Sequence, residues 1–122
     1  FFKEFYGVEC TELAMLQFLT ILTRSGNPLS ELIAPLQRYA HSGEVNFEAK
    51  DKDAVLKDLR ARYESSAREV STLDGLSFDF GMWWFNVRAS NTEPLLRLAV
   101  ETPTVQETER RVAEIGKLIR GE

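Results

Sequence analysis

Trp83-Trp84-Phe85-Asn86-Val87 and Leu95-Leu96-Arg97-Leu98-Ala99-Val100-Glu101 are two apolar runs joined by Arg88-Ala89-Ser90-Asn91-Thr92-Glu93-Pro94. Side chains alternate between the two faces of a strand. Trp83, Phe85, Val87 and Ala89 therefore share one face of the first run, with Trp84, Asn86 and Arg88 on the other. In the return run Leu96, Leu98 and Val100 form the apolar face. Arg97 falls with Leu95 and Ala99 and reads as a solvated strand charge. Alternation sends one tryptophan into the core and leaves its neighbour on the opposite face, so packing is the default role of both.

The connector gathers a guanidinium, two hydroxyls and a carboxamide into one turn. Arginine's planar fork suits bidentate contact with phosphate oxygens, hydroxyls and amides can donate to the remainder, and Pro94 fixes the exit angle. An ordinary hairpin connection draws on the same residue types. On chemistry alone, an anion cradle and a plain turn both remain open. Glu93 sits beside this loop with the wrong charge for an anion site, so it either points away or orients Arg88.

Working outward, Leu76, Phe78 and Phe80 alternate with Ser77 and Asp79, and Gly81 permits a turn into Met82-Trp83, which predicts a hairpin. Asp51 can cap a helix running to about Glu64, with Val55, Leu56, Leu59 and Tyr63 on its inner stripe. Thr104 and Glu107 form a capping box for a last helix, with Val112, Ile115 and Ile119 buried. Val45, Phe47 and Ala49 alternate as a strand after a shift of composition at Tyr39-Ala40-His41-Ser42-Gly43, the candidate linker. His41 reads as a linker residue. From Ser42 the order is strand, helix, roughly three strands, helix. That order predicts an α+β domain with an antiparallel sheet of about four strands and helices on one face.

The first forty residues follow another pattern. Thr11 to Arg24 is helical and apolar on most sides, and Ser25-Gly26 supplies its stop. Asn27-Pro28 reads as N-cap and first position of a second helix carrying Leu29, Leu32, Ile33 and Leu36, which Pro35 should kink or divide. Cys10, the single cysteine, reads as a buried thiol. The expected division is residues 1–41, a helical remnant of a preceding domain with its linker, and residues 42–122, the α+β domain. Leu13, Phe18, Leu19 and Leu22 would leave an apolar patch, so self-association through residues 1–40 is expected.

A chain of 122 residues, 43% hydrophobic, suffices for one core but is short for two. A formal net charge of −4 with no basic stripe argues against nucleic acid or an anionic membrane as partner. No run approaches the roughly 20 apolar residues that span a bilayer, and the lone cysteine suits a reducing cytoplasm.

The run WWFNVRASNTEPLLRLAVE closely resembles the phosphate-binding motif in the C-terminal domain of the α-D-phosphohexomutases, particularly bacterial phosphomannomutase/phosphoglucomutase. Ser42-Gly43-Glu44-Val45-Asn46-Phe47 looks like that family's entry into its last domain, and Ser71-Thr72-Leu73-Asp74-Gly75-Leu76 like the segment before its central hairpin. The resemblance implies a TATA-box-binding-protein-like fold, with Arg88, Ser90, Asn91 and Thr92 as ligands of a substrate phosphate. It also implies an enzyme that moves phosphate between the C1 and C6 hydroxyls of a hexose through a bisphosphate, with a phosphoserine and magnesium. The family's serine loop, Asp-rich magnesium loop and sugar-reading loop do not occur in this chain. Phe1-Phe2-Lys3-Glu4-Phe5 looks like the sequence just after that sugar loop, so a C-terminal fragment is expected. Such a fragment would be inactive alone and would have the upstream domains of the same enzyme and a hexose phosphate as partners. The other reading is a free-standing α+β module that binds a small anion or a protein.

Overall fold

The computed structural model describes residues 1–122, the side chain of Glu4 excepted. The chain falls into two compact units, Phe1–Gln37 and Arg38–Glu122.

In the first unit, α1 (Thr11–Ser25) ends on Gly26 at φ 66°, the left-handed stop expected of Ser25-Gly26. The helix α2 (Leu29–Ile33) passes into a 3-10 turn over Ala34–Leu36, as Pro35 requires, because proline lacks the N–H that the α pattern would use. Pro28, with extended backbone, rather than Asn27, occupies the N-cap. None of α1's residues is buried, and Phe18, Leu19 and Ile21 are exposed. Cys10 is only half-buried, contrary to the buried thiol expected, and its Sγ lies 3.5 Å from Glu12 Oε2.

The second unit is one antiparallel sheet with two long helices, α3 (Lys52–Tyr63) and α4 (Val105–Arg120), on one face. Its strands are β1 (Ala40–His41), β2 (Val45–Glu48), β3 (Glu69–Ser71), β4 (Leu76–Asp79), β5 (Trp84–Ala89) and β6 (Leu95–Thr102). The order is β1-β6-β5-β4-β3, with β2 also paired to β6. The linker expected at Tyr39–Gly43 therefore differs from what is found. His41 pairs with Glu101 and Val45 with Leu98, so the edge strand carries one residue more than β6 between these points. Gly43, at φ +67°, absorbs it as a bulge, and Ser42 Oγ accepts from Val100 N at 2.9 Å where the ladder is interrupted.

Burial alternates as period two demands. Leu96, Leu98 and Val100 of β6, Phe85 and Val87 of β5 and Leu76 and Phe78 of β4 are buried under the helices. Phe78 and Phe85 are directly paired across strands and stack at 4.8 Å, and Tyr63 of α3 meets Phe85 edge-on at 5.1 Å. Such aromatic pairs add about 0.5–1.5 kcal/mol beyond the area they bury. Trp83 stacks on Phe80 at 4.2 Å beneath the Arg111 guanidinium, whereas Trp84 lies on the outer face and donates to Glu101 Oε1. Both tryptophans pack, on opposite sides. Two buried hydroxyls are satisfied: Thr102 and Thr108 share a hydrogen bond, and Thr108 donates to Ala40 O.

Both helix caps form, Asp51 accepting from Ala54 N and Thr104 from Glu107 N. Only half of the Thr104–Glu107 box exists, because the Glu107 carboxylate turns instead to Arg110 and Arg111. The Arg110 hydrogen bond, reinforced by Arg111, holds the Glu107 carboxyl down to about 2 from an ordinary 4.5. A carboxyl depressed in the folded state stabilises above its unfolded value, and that stabilisation is lost as pH falls from about 4.5 to about 2. Acid unfolding followed by circular dichroism should therefore be shallower in this window for Glu107→Gln than for the parent; coincident acid limbs would exclude the linkage.

Candidate functional site

β5 and β6 pair so that Arg88 lies directly opposite Arg97. Both project from the outer face, because each alternates with buried neighbours, Val87 on one strand and Leu96 and Leu98 on the other. Like charges directly opposed are destabilising. Here Glu44 bridges them. Its Oε1 accepts from Arg88 Nη2 and its Oε2 lies 3.4 Å from Arg97 Nη1. Asp74 adds a second carboxylate, 3.6 Å from Arg88 Nη1. Arg97 is thus not the solvated strand charge its position suggested: its Nε is buried and has no hydrogen-bond partner among the described residues. Of the two roles open to Glu93, orienting Arg88 falls instead to Glu44 and Asp74, and the Glu93 side chain is exposed.

The loop between the strands closes with Ser90 N donating to Leu95 O at 2.9 Å. Ser90 is buried, and Asn91 and Thr92 are exposed. Lys52, the first residue of α3, reaches under the loop, its Nζ donating to Ser90 O at 2.8 Å and to Glu93 O at 3.3 Å. Ala49 N donates to Pro94 O. On the other side, Asn86 Nδ2 donates to Asp74 O and Ser77 Oγ, holding the Asp74-Gly75 turn against β5. Gly75, at φ +76°, approaches so closely that a Cβ there would stand 2.6 Å from Val87 O.

These segments surround an open depression of about 480 Å³ whose lining includes Arg88, Ser90, Asn91, Thr92, Arg97 and Asp74. The residues singled out in the loop converge there, and Arg97, Asp74 and Gly75 join them from other segments. A larger hollow of about 750 Å³ between α3 and the end of α4 is lined by Glu48, Asp51, Asp58 and Glu122 against Lys50 and Arg120. Its carboxylate excess suits an anion poorly. Among the described residues, no three His, Cys, Asp or Glu side chains are placed to hold a metal ion. Asp74, in the lining of the depression, and Glu44, which bridges its two arginines, are engaged by guanidinium groups and do not fit a magnesium site. No helix is long and apolar enough to cross a membrane.

Residues 44–118 match the family described as phosphoglucomutase/phosphomannomutase, C-terminal domain. The chain is 40% identical over 123 residues to the phosphohexose mutases of Xanthomonas campestris pv. campestris strain B100, covering 99% of this chain and 28% of that protein. It is 37% identical over 119 residues to the phosphomannomutase of Methanocaldococcus jannaschii, covering 98% of this chain and 26% of that protein. It thus spans about a quarter of the length of the curated relatives it matches. A crystal structure of a phosphoglucomutase/phosphomannomutase family protein from Burkholderia thailandensis has the same fold over 75% of this chain and 19% of that one, with a TM-score of 0.55 at 24% identity. With residues 44–118, more than half of this chain, matched by that C-terminal domain, this chain belongs to the phosphoglucomutase/phosphomannomutase family.

Proposed function

We propose that the depression beside Arg88 and Arg97 holds the phosphate of a hexose phosphate, as part of an enzyme that interconverts hexose 1-phosphate and hexose 6-phosphate through a bisphosphate. The observation that carries this reading is the register pairing of Arg88 with Arg97 beside the Ser90–Thr92 loop. Two guanidinium forks on one sheet face offer planar donor pairs to one tetrahedral anion. Such an anion takes the place of the Glu44 carboxylate. A phosphate dianion carries more charge and more acceptor oxygens than the carboxylate it displaces, which offsets part of the entropic cost of capturing a free ligand.

Clamping the phosphate that is not reacting fixes the sugar for phosphoryl transfer and turns an encounter into a pre-oriented step. In this reading the phosphoserine and the magnesium ion that supplies charge neutralisation belong to other parts of the protein. The residues of this chain bind and orient.

The test is a titration of isotopically labelled chain followed by amide resonances. Glucose 1-phosphate should shift Ala89–Thr92 and saturate, and unphosphorylated glucose at the same concentration should leave them in place. Equal responses to the two sugars, or shifts confined to other segments, would overturn the assignment.

A further inference from the structure

We propose that Lys52 is a positioning residue of this site, orienting the Ser90–Asn91 peptide so that its N–H is presented to the bound anion; the proposal rests on the phosphate reading given above. The Lys52 ammonium takes the carbonyls of Ser90 and Glu93 from beneath the loop. In a planar trans peptide the C=O of one residue and the N–H of the next point in opposite directions. Fixing Ser90 O toward Lys52 therefore fixes Asn91 N–H away from it, and Asn91 lines the depression. Among the described residues the amides of Asn91 and Thr92 donate to no protein acceptor.

The placement of the lysine supports a role outside its own helix. A cation at the first position of α3 opposes the helix dipole, which Asp51 at the cap favours. Lys52 is half-buried, and its head is spent on a loop 38 residues away. With Ala49 N on Pro94 O, it ties both ends of the loop to the corner where β2 passes into α3.

The experiment titrates the full chain with inorganic phosphate by calorimetry at fixed ionic strength, with Lys52→Met, Lys52→Arg, Lys57→Met and Arg88→Ala beside the parent. Lys52→Met keeps the stem and removes the charge and donors. It should bind phosphate about tenfold more weakly, with a displaced Asn91 amide resonance that no longer follows phosphate and a melting temperature close to the parent's. Lys52→Arg should recover most of the affinity. Lys57→Met deletes the same charge from an exposed position of the same helix and should bind as the parent does. Parent-like affinity in Lys52→Met while Arg88→Ala loses binding would overturn the positioning role alone, as would equal losses in Lys52→Met and Lys57→Met, which would mean a general field effect. Undiminished binding in Arg88→Ala would overturn the phosphate reading and this proposal with it.

Discussion

Arg88→Ala should weaken phosphate binding by at least about tenfold. A hydrogen bond to a charged group contributes about 1.5–3 kcal/mol, and 1.4 kcal/mol is a factor of ten in affinity. The binding reaction is an exchange, in which Arg88 leaves Glu44 as it takes the ligand, so the lower end of that range is the expected one. Arg88→Lys should fall between alanine and the parent, because it restores the charge without the fork. The stability cost should be small. The Arg88–Glu44 pair is partly exposed, exposed pairs are worth about 0–1 kcal/mol, and removing Arg88 also relieves its repulsion with Arg97. Calorimetric titration at constant ionic strength, with thermal melts alongside, separates the two effects. A folded Arg88→Ala chain with parent affinity would remove this loop from consideration as the anion site.

The alternating runs around this loop were legible because period two is a property of adjacent residues. Trp84, Asn86 and Arg88 fall on one face whatever the rest of the chain does. Arg97 was legible in principle and was missed. Ser90 N on Leu95 O closes the loop, and Arg88 and Arg97 lie equally far back from that closure, so counting outward from the turn sets them opposite each other. Glu44 and Asp74 offered no such count. They stand 44 and 14 positions from Arg88 in the chain, and only the pairing of β2 with β6 and the packing of the Asp74-Gly75 turn on β5 bring them in.

Two strands escaped for local reasons. In β1 the Gly43 bulge breaks the alternation and makes a strand look like a linker. In β3, Glu69-Val70-Ser71 has a single apolar residue, and its pairing with β4 is a tertiary fact. The apolar helix that follows Cys10 favours a buried thiol, but none of α1's own residues is buried, so the helix offers the thiol no cover.

Gly75→Ala should be the most damaging single methyl group in the second unit. At φ +76° a side chain is strained, by roughly 1–2 kcal/mol. The new Cβ would also stand 2.6 Å from Val87 O, 2.7 Å from Arg88 Cβ and 2.9 Å from Arg88 Cα. Two of those atoms are backbone of β5, so no rotamer change can relieve the clash, and overpacking of that kind costs a further ~1–3 kcal/mol. The sum, about 2–5 kcal/mol, corresponds to a fall in melting temperature of about 10 °C or more for a domain of this size. Gly43→Ala separates the two contributions. Gly43 has a similar φ of +67°, yet nothing lies within 4 Å of its added Cβ, so only the conformational strain applies there. Denaturant unfolding of both variants should rank Gly75→Ala well below Gly43→Ala. Its effect should also reach the site, since the turn that must retreat carries Asp74, whose carbonyl Asn86 holds and whose carboxylate faces Arg88. If the two alanines prove equally mild, the Asp74-Gly75 turn does not press on β5, and Asp74 has no fixed place beside the arginine pair.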